Sequence, residues 1–292
     1  MPGTTDPIQF EVLRQLPGAG SLTLRGEQVG PLDAGAPPVV LLHGVSATRL
    51  GVVHGSRHLA RRGYRLVAYD ARGHGASDPA PSPGAYGYPD LVDDLRAVLD
   101  ELHLERPVLA GASMGAATAL AFALEDPARV PALVQITPAY TGRRTTKLDF
   151  EIWDRMADEL ERGGVEQFVK VATPDALPER WRELARQATR QRMELHEHVE
   201  AVSAALRVVP RSRAFDGLEK LEGLEVPTLI VASRDEADSI HLLEVARDYA
   251  ERLPQAELVV EEEGETPLAW EGARLSALIG DFLEQLGIRP QR

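Results

Sequence analysis

Two hydrophobic rhythms divide the chain. Val39-Val40-Leu41-Leu42, the stretch Tyr64–Tyr69, the run ending at Gly111, Ala132–Thr137 and Thr228–Ala232 are short, nearly unbroken apolar segments. A strand that is apolar along its whole length has no solvent face, so these runs predict parallel strands buried on both sides. Glu257–Val260 reads as a further strand. The second rhythm is helical. Leu91, Leu95, Val98, Leu99 and Leu102 put one apolar stripe on a helix over Pro89–Leu104. Helices are predicted likewise over Val52–Arg62, where Gly63 supplies the stop, and over Ile240–Leu253 and Pro267–Leu286. Ile8–Arg14 and Ser21–Val29 read as strands joined through Pro17-Gly18, and Pro79–Tyr88 as loop. Strands alternating with helices predict an α/β fold: a mostly parallel sheet with helices on both faces.

The alternation breaks once. From Tyr140 to Glu225 the pattern is helical throughout, over Phe150–Glu161, Val165–Val171, Pro178–Leu195 and Val199–Val208. Strand rhythm resumes only at Thr228. The expected organisation is therefore a core formed by residues 1–139 and 226–292, with a helical insertion at 140–225.

Composition narrows the function classes. With 43% hydrophobic and 26% charged residues the chain has the make-up of a soluble globular protein large enough for a substantial core. Its net charge of -13 repels nucleic acid and anionic membrane surfaces, so neither is an expected partner. Met1–Glu11 lacks the charged and apolar regions of a secretory leader, and no stretch approaches a membrane span, so a cytoplasmic location is expected. The absence of cysteine excludes disulfides, thiolate metal sites and a cysteine nucleophile. No metal or organic cofactor is expected; a small-molecule substrate is, and homo-oligomerisation stays open.

The chemistry concentrates in Gly111-Ala112-Ser113-Met114-Gly115, where an apolar run meets small helix formers. A serine at the apex of a strand–turn–helix sits in strained backbone, and crowding at the positions two before and two after leaves room only for glycine. Ser113 Oγ would point out from the carboxyl edge of the sheet, and the N–H of Met114 would face an oxyanion forming there.

Taken together, His43-Gly44, the turn Arg72-Gly73-His74-Gly75-Ala76-Ser77, the Ser113 elbow and Asp235 just beyond its strand resemble the α/β-hydrolase fold family, in its serine-nucleophile, esterase-like branch. The likeness runs from about Ile8 to Leu286. It implies Ser113 as nucleophile, Val45 and Met114 as oxyanion-hole N–H donors, Asp235 as the acid that orients a histidine, and 140–225 as a cap over the pocket. A serine at the elbow speaks against epoxide hydrolase and haloalkane dehalogenase chemistry, which need a carboxylate there. The activity implied is hydrolysis of a carboxylic ester, thioester or lactone through a Ser113 acyl-enzyme.

One position departs from the family. Its catalytic histidine belongs in the loop after the last strand, and here that loop reads Glu261-Glu262-Glu263-Gly264-Glu265-Thr266-Pro267, with Glu265 in the histidine's place. A serine needs a base, and a carboxylate of ordinary pKa, about 4.3, is a weak one. His241, in the segment after Asp235, is the leading substitute; it is expected in the first turn of a helix, where the dipole keeps imidazole neutral. Glu265 competes only if burial or Asp235 raises its pKa, and otherwise stands at a helix start capped by Thr266 and Pro267. The alternative function is a hydrolase-fold protein without hydrolysis: a ligand-binding protein that has lost its base, or a lyase or isomerase using the oxyanion hole and a carboxylate. His43 and His74 read as structural, His196 and His198 as a solvated helix start, and Glu261–Glu263 as a solvated strand end. Arg143-Arg144 stands near the start of the insertion, where it could attract an anionic substrate.

Overall fold

The computed structural model describes residues 6–16, 18–32, 38–142, 147–173, 175, 177–238, 240–265 and 270–290. Eight strands form one sheet: β1 (Ile8–Leu16), β2 (Gly20–Val29), β3 (Pro38–Leu42), β4 (Arg65–Tyr69), β5 (Val108–Ala112), β6 (Leu133–Ile136), β7 (Thr228–Ala232) and β8 (Ala256–Val260). Their order is β1-β2-β4-β3-β5-β6-β7-β8; β1 and β2 run antiparallel, and from β4 to β8 every neighbour is parallel. The unbroken apolar runs have the predicted cause. Val40, Leu42, Val67, Leu109 and Ile230 pack on one face, while Val39, Leu41, Leu66, Val108 and Val231 pack on the other.

Helices cover both faces. α2 (Tyr88–Glu101), α3 (Met114–Glu125) and α7 (Leu243–Arg252) lie on the first, through residues such as Leu95, Leu120 and Tyr249. α1 (His58–Arg61) and α8 (Gly272–Gln285) lie on the second, through Leu59, Ile279 and Phe282. Burying each such large side chain contributes on the order of 2 kcal/mol. Three expected helices begin later than predicted, the last at Gly272 with Trp270 and Glu271 outside it. Within Val52–Arg62 only α1 is helical, because Val52 and Val53 fill the second core from irregular backbone ahead of it. The helix expected from Ile240 begins at Leu243, because side chains of the preceding turn take its first N–H groups, as described below. Thr266 and Pro267 lie outside the described residues.

Between β6 and β7 the described residues form no strand. They carry α4 (Lys147–Ala172), α5 (Glu179–Met193) and α6 (Val199–Val208). Gly164, at φ 64°, breaks α4 where the sequence pattern predicted two helices. Met156, Leu160, Phe168, Met193, Val202 and Leu206 tie the three helices together, and Val45 of the core packs against this cluster. On α6, Ala201 and Ala205 pack with Tyr86, Tyr88, Leu91, Met114 and Ala117, which seats the helix beside the elbow. Among the described residues no helix is long and apolar enough to cross a membrane.

Candidate active site

β5 ends at Ala112 and α3 begins at Met114, leaving Ser113 at φ 50° and ψ -109°. That conformation is costly for a non-glycine residue and persists because its surroundings over-determine it. A Cβ at Gly111 would lie 2.2 Å from the Gly115 carbonyl oxygen, and one at Gly115 would lie 2.1 Å from that of Leu42. Neither position tolerates a side chain. The N–H of Ser113 donates to the Ile136 carbonyl at 3.0 Å, which fixes the apex against β6.

The loop after β3 is held against the elbow by His43. The Ala71 N–H donates to His43 Nε2 at 2.9 Å, so Nε2 carries the lone pair and Nδ1–H donates to the Gly44 carbonyl at 2.8 Å. The ring is 2% exposed, and burial pushes its pKa down to about 4. This is the structural role expected from the sequence. A Cβ on Gly44 would approach the Ser113 Cβ at 3.3 Å, so Val45 follows directly after a residue that touches the nucleophile. Met114 opens α3, where backbone N–H groups have no helical partner and face the elbow.

His241 Nε2 lies 2.9 Å from Ser113 Oγ. Its Nδ1 lies 2.6 Å from Asp238 Oδ2. The carboxylate accepts Nδ1–H, which leaves the Nε2 lone pair to accept the Ser113 O–H. Burial, the largest single influence, favours the neutral acid at Asp238, and the positive charge His241 can carry works against it. Hydrogen bonds from the His241 ring and from the N–H groups of His241 (3.2 Å) and Ile240 (3.1 Å) add to this, and the Asp238 pKa falls below its ordinary value. The side chains of His241 and Asp238 keep 20% and 25% of their surface exposed, so substrate and water reach them.

Asp238 takes the place the sequence assigned to Asp235. Asp235 Oδ1 instead accepts the N–H of Leu243 at 2.8 Å and caps α7. The turn places the carboxylate three residues before the histidine beside Nδ1 and spends the earlier one on the helix start. His241 consequently stands ahead of α7 rather than in its first turn, so its tautomer is set by Asp238 and not by a helix dipole. The signal that reasoning on the sequence passed over was the pair Asp238-x-x-His241 itself.

Glu265 is committed elsewhere. It accepts the N–H of Glu262 at 2.8 Å and pairs with Arg274, and these contacts hold its pKa below the usual carboxylate range. That removes the condition under which it was to act as a base. Glu261, expected in solvent, is 2% exposed; burial raises its pKa although its Oε1 accepts the Arg234 N–H at 2.6 Å. The solvated character of the acidic run belongs to Glu262 and Glu263.

His196 also departs from expectation. It is 7% exposed, its Nδ1 accepts the Gly75 N–H at 2.9 Å, and the next N–H, of Glu197, donates to the Gly75 carbonyl at 2.9 Å. Its ring stands 5.6 Å from that of His74, which stands 5.1 Å from that of His43. Burial pushes His74 down to about 3 and His196 to about 4, so all three rings are neutral. His198 stays half-exposed, 3.7 Å from Glu200. Arg143 and Arg144 lie outside the described residues.

Comparison with known proteins places this arrangement. A family model for the alpha/beta hydrolase fold matches residues 37–273. AB hydrolase superfamily protein YisY of Bacillus subtilis is 29% identical over 261 residues, 84% of this chain and 91% of that one. Epoxide hydrolase B of Mycobacterium tuberculosis is 36% identical, but over only 42% of this chain and 36% of its own length. Among solved structures, a thermophilic esterase from Thermogutta terrifontis, with malate bound, superposes with a TM-score of 0.77 at 26% identity, covering 96% of this chain and 99% of that one. The elbow, the parallel sheet and the extent of the match agree, and this chain belongs to the α/β-hydrolase fold family, whose members are hydrolases.

Proposed function

We propose that Ser113, His241 and Asp238 form the catalytic triad of a serine hydrolase acting on a carboxylic ester, thioester or lactone of a small to medium organic molecule. His241 Nε2 removes the Ser113 proton as Oγ attacks the substrate carbonyl. Asp238 holds the ring in the productive tautomer and stabilises the imidazolium. The N–H groups of Val45 and Met114 receive the oxyanion, and α4–α6 serve as the cap that shapes the pocket. His241 then gives its proton to the leaving oxygen or sulfur, leaving an acyl-Ser113. A water attacks the acyl carbon, its proton passes to His241 and on to Ser113, and the acid is released.

The observation that carries this reading is the continuous path from Ser113 Oγ through both ring nitrogens of His241 to Asp238. It supplies the base whose absence from the last loop favoured a protein without hydrolysis. A serine nucleophile also fits acyl transfer rather than the carboxylate attack of epoxide opening, despite the partial likeness to epoxide hydrolases. The test is intact-mass spectrometry after exposure to a fluorophosphonate. One adduct is expected on the parent, located at Ser113 by peptide mapping and absent from Ser113→Ala. A parent that stays unlabelled on long exposure refutes the reading.

A further inference from the structure

Glu261, the first residue beyond β8, is a buried carboxylate that the reaction above leaves unused. It is 2% exposed. Its hydrogen bonds lead to the start of the turn after β7. Its N–H donates to the Ala232 carbonyl at 3.2 Å, its carbonyl accepts the Arg234 Nε–H at 3.2 Å, and its Oε1 accepts the Arg234 N–H at 2.6 Å. Among the described residues its Oε2 has no partner, so the side chain's hydrogen bonding is spent on that one backbone N–H.

Arg234 passes the constraint on. While its N–H is held by Glu261, its carbonyl accepts the N–H groups of Ala237 and Asp238, both at 2.9 Å. A residue gripped at both ends of its backbone cannot rotate without breaking one of these bonds, and rotating it would swing Asp238. Other hydrogen bonds of the turn run from the N–H groups of Ile240 and His241 to Asp238, and from that of Leu243 to Asp235. These join residues of one segment, so they stiffen the turn without locating it against the sheet. Glu261 follows directly on Val260, which pairs with Ala232 across the β7–β8 ladder, so its side chain locates the turn from the neighbouring strand. Ala237, buried with Leu177 and Trp181 of the insertion, adds an apolar seat.

We propose that Glu261 is a positioning residue for the triad: by holding the Arg234 N–H it sets where the turn presents Asp238, and through Asp238 the aim of His241 at Ser113. The proposal rests on the serine-hydrolase reading above. The contacts run unbroken from Glu261 to Arg234, from Arg234 to Asp238, and on through His241 to Ser113 Oγ. Misplacing a catalytic group by ~1 Å can cost about a hundred-fold in rate. Reach rather than charge is what the turn asks of this side chain. Burial, joined by the charges of Glu265, Asp238 and Glu236, disfavours its ionised form, and the Arg234 N–H needs only an acceptor oxygen at a glutamate's length. Without that acceptor the relay still assembles between the turn and the elbow, but its aim is loose.

The test sets reach against charge. Glu261→Gln keeps the acceptor at full length without the charge; Glu261→Asp keeps the charge one methylene short of the Arg234 N–H. Both are assayed on p-nitrophenyl butyrate, with active sites counted by fluorophosphonate titration. Glu261→Asp should lose about ten-fold or more in kcat with KM within about three-fold, whereas Glu261→Gln should stay within about three-fold of the parent in both. The downfield proton NMR signal of His241 Nδ1–H should shift or broaden in Glu261→Asp and persist in Glu261→Gln. A merely structural glutamate would lower the melting temperature on substitution and leave that signal, and kcat per titrated site, unchanged. If Glu261→Asp does not fold, Glu261→Met, which fills the space without an oxygen, takes its place with the same expected losses. A short or oxygen-free variant with the parent's kcat per site, or a Glu261→Gln enzyme as slow as Glu261→Asp, overturns the proposal. If the parent labels at Ser113, only the role of Glu261 falls; if the parent does not label at all, the hydrolase reading falls with it.

Discussion

Two loops leave the carboxyl edge of the sheet side by side, after β7 and after β8, and the first holds both groups that we propose to act on Ser113. The first carries Asp238 and His241, aligned on Ser113. The second, where the family keeps its histidine, carries Glu265, bound to a backbone N–H and to Arg274. Both are partly exposed among their described residues, and both contain acidic residues. What separates them is the fate of the carboxylates. In the first loop one acid caps a helix and the other has an imidazole to orient. In the second, every contact of Glu265 keeps it ionised and occupied. On the triad proposed above, the family's requirement is for a proton carrier within reach of the elbow, and adjacent loops at one sheet edge can supply it.

The sharpest way to break this contrast is His241→Ala. On activated esters it should reduce kcat by about a thousand-fold or more, the usual cost of losing the base of a triad. A variant as active as the parent would return the search to the loop after β8. Next comes the comparison of the two aspartates. Asp238→Asn should lower kcat by about a hundred-fold or more, because the amide favours the wrong tautomer. Asp235→Asn should cost about 1 kcal/mol at most in stability through its helix cap and leave kcat within about three-fold. Steady-state kinetics beside denaturant melts separates the two, and equal kinetic losses would merge their roles.

Acid should sharpen the contrast through stability. His43, His74 and His196 have pKa values of about 4, about 3 and about 4 in the fold, against about 6.5 when unfolded. Below pH ~6.5 the unfolded chain binds protons that the folded chain refuses, so stability is complete above ~6.5 and is lost progressively toward ~4. Each histidine adds up to about 1.4 kcal/mol per pH unit to that slope. Urea titrations from pH 7.5 to 5 should show midpoints falling on acidification, and His196→Gln should flatten the fall; a midpoint constant over that range would contradict it. The smallest effect is reserved for the second loop. Glu265→Gln should change kcat/KM by less than about three-fold, since it removes only a contact away from the reacting atoms. A dead Glu265→Gln enzyme would mean that the carboxylate works as the base.

Much of this was legible in the chain. Val39–Leu42 is apolar at every position because alternate residues serve opposite cores, and the glycines at 111 and 115 register contacts that no other residue allows. His241 was legible because few histidines stand near the right sheet edge. Asp238 was not, because Asp235 and Asp238 look equivalent until the turn's hydrogen bonds decide between them. His196 escaped for the same kind of reason. A histidine among glutamates reads as surface, and only the approach of a distant turn at Gly75 buries it.

The spacing of Asp238 and His241 has a consequence for how the enzyme comes into being. In the family's usual layout the nucleophile, the acid and the histidine arrive from three distant stretches, and the relay must wait for the last strand and its loop. Here acid and histidine are three residues apart, so the relay is complete once two segments meet. Closing one long loop instead of two removes an entropic hurdle from its assembly. During refolding, reactivity at Ser113 should therefore return with the docking of β7 against β6, ahead of the final settling of β8 and α8. Chain length beyond β8 then matters to the durability of the enzyme rather than to the birth of its chemistry.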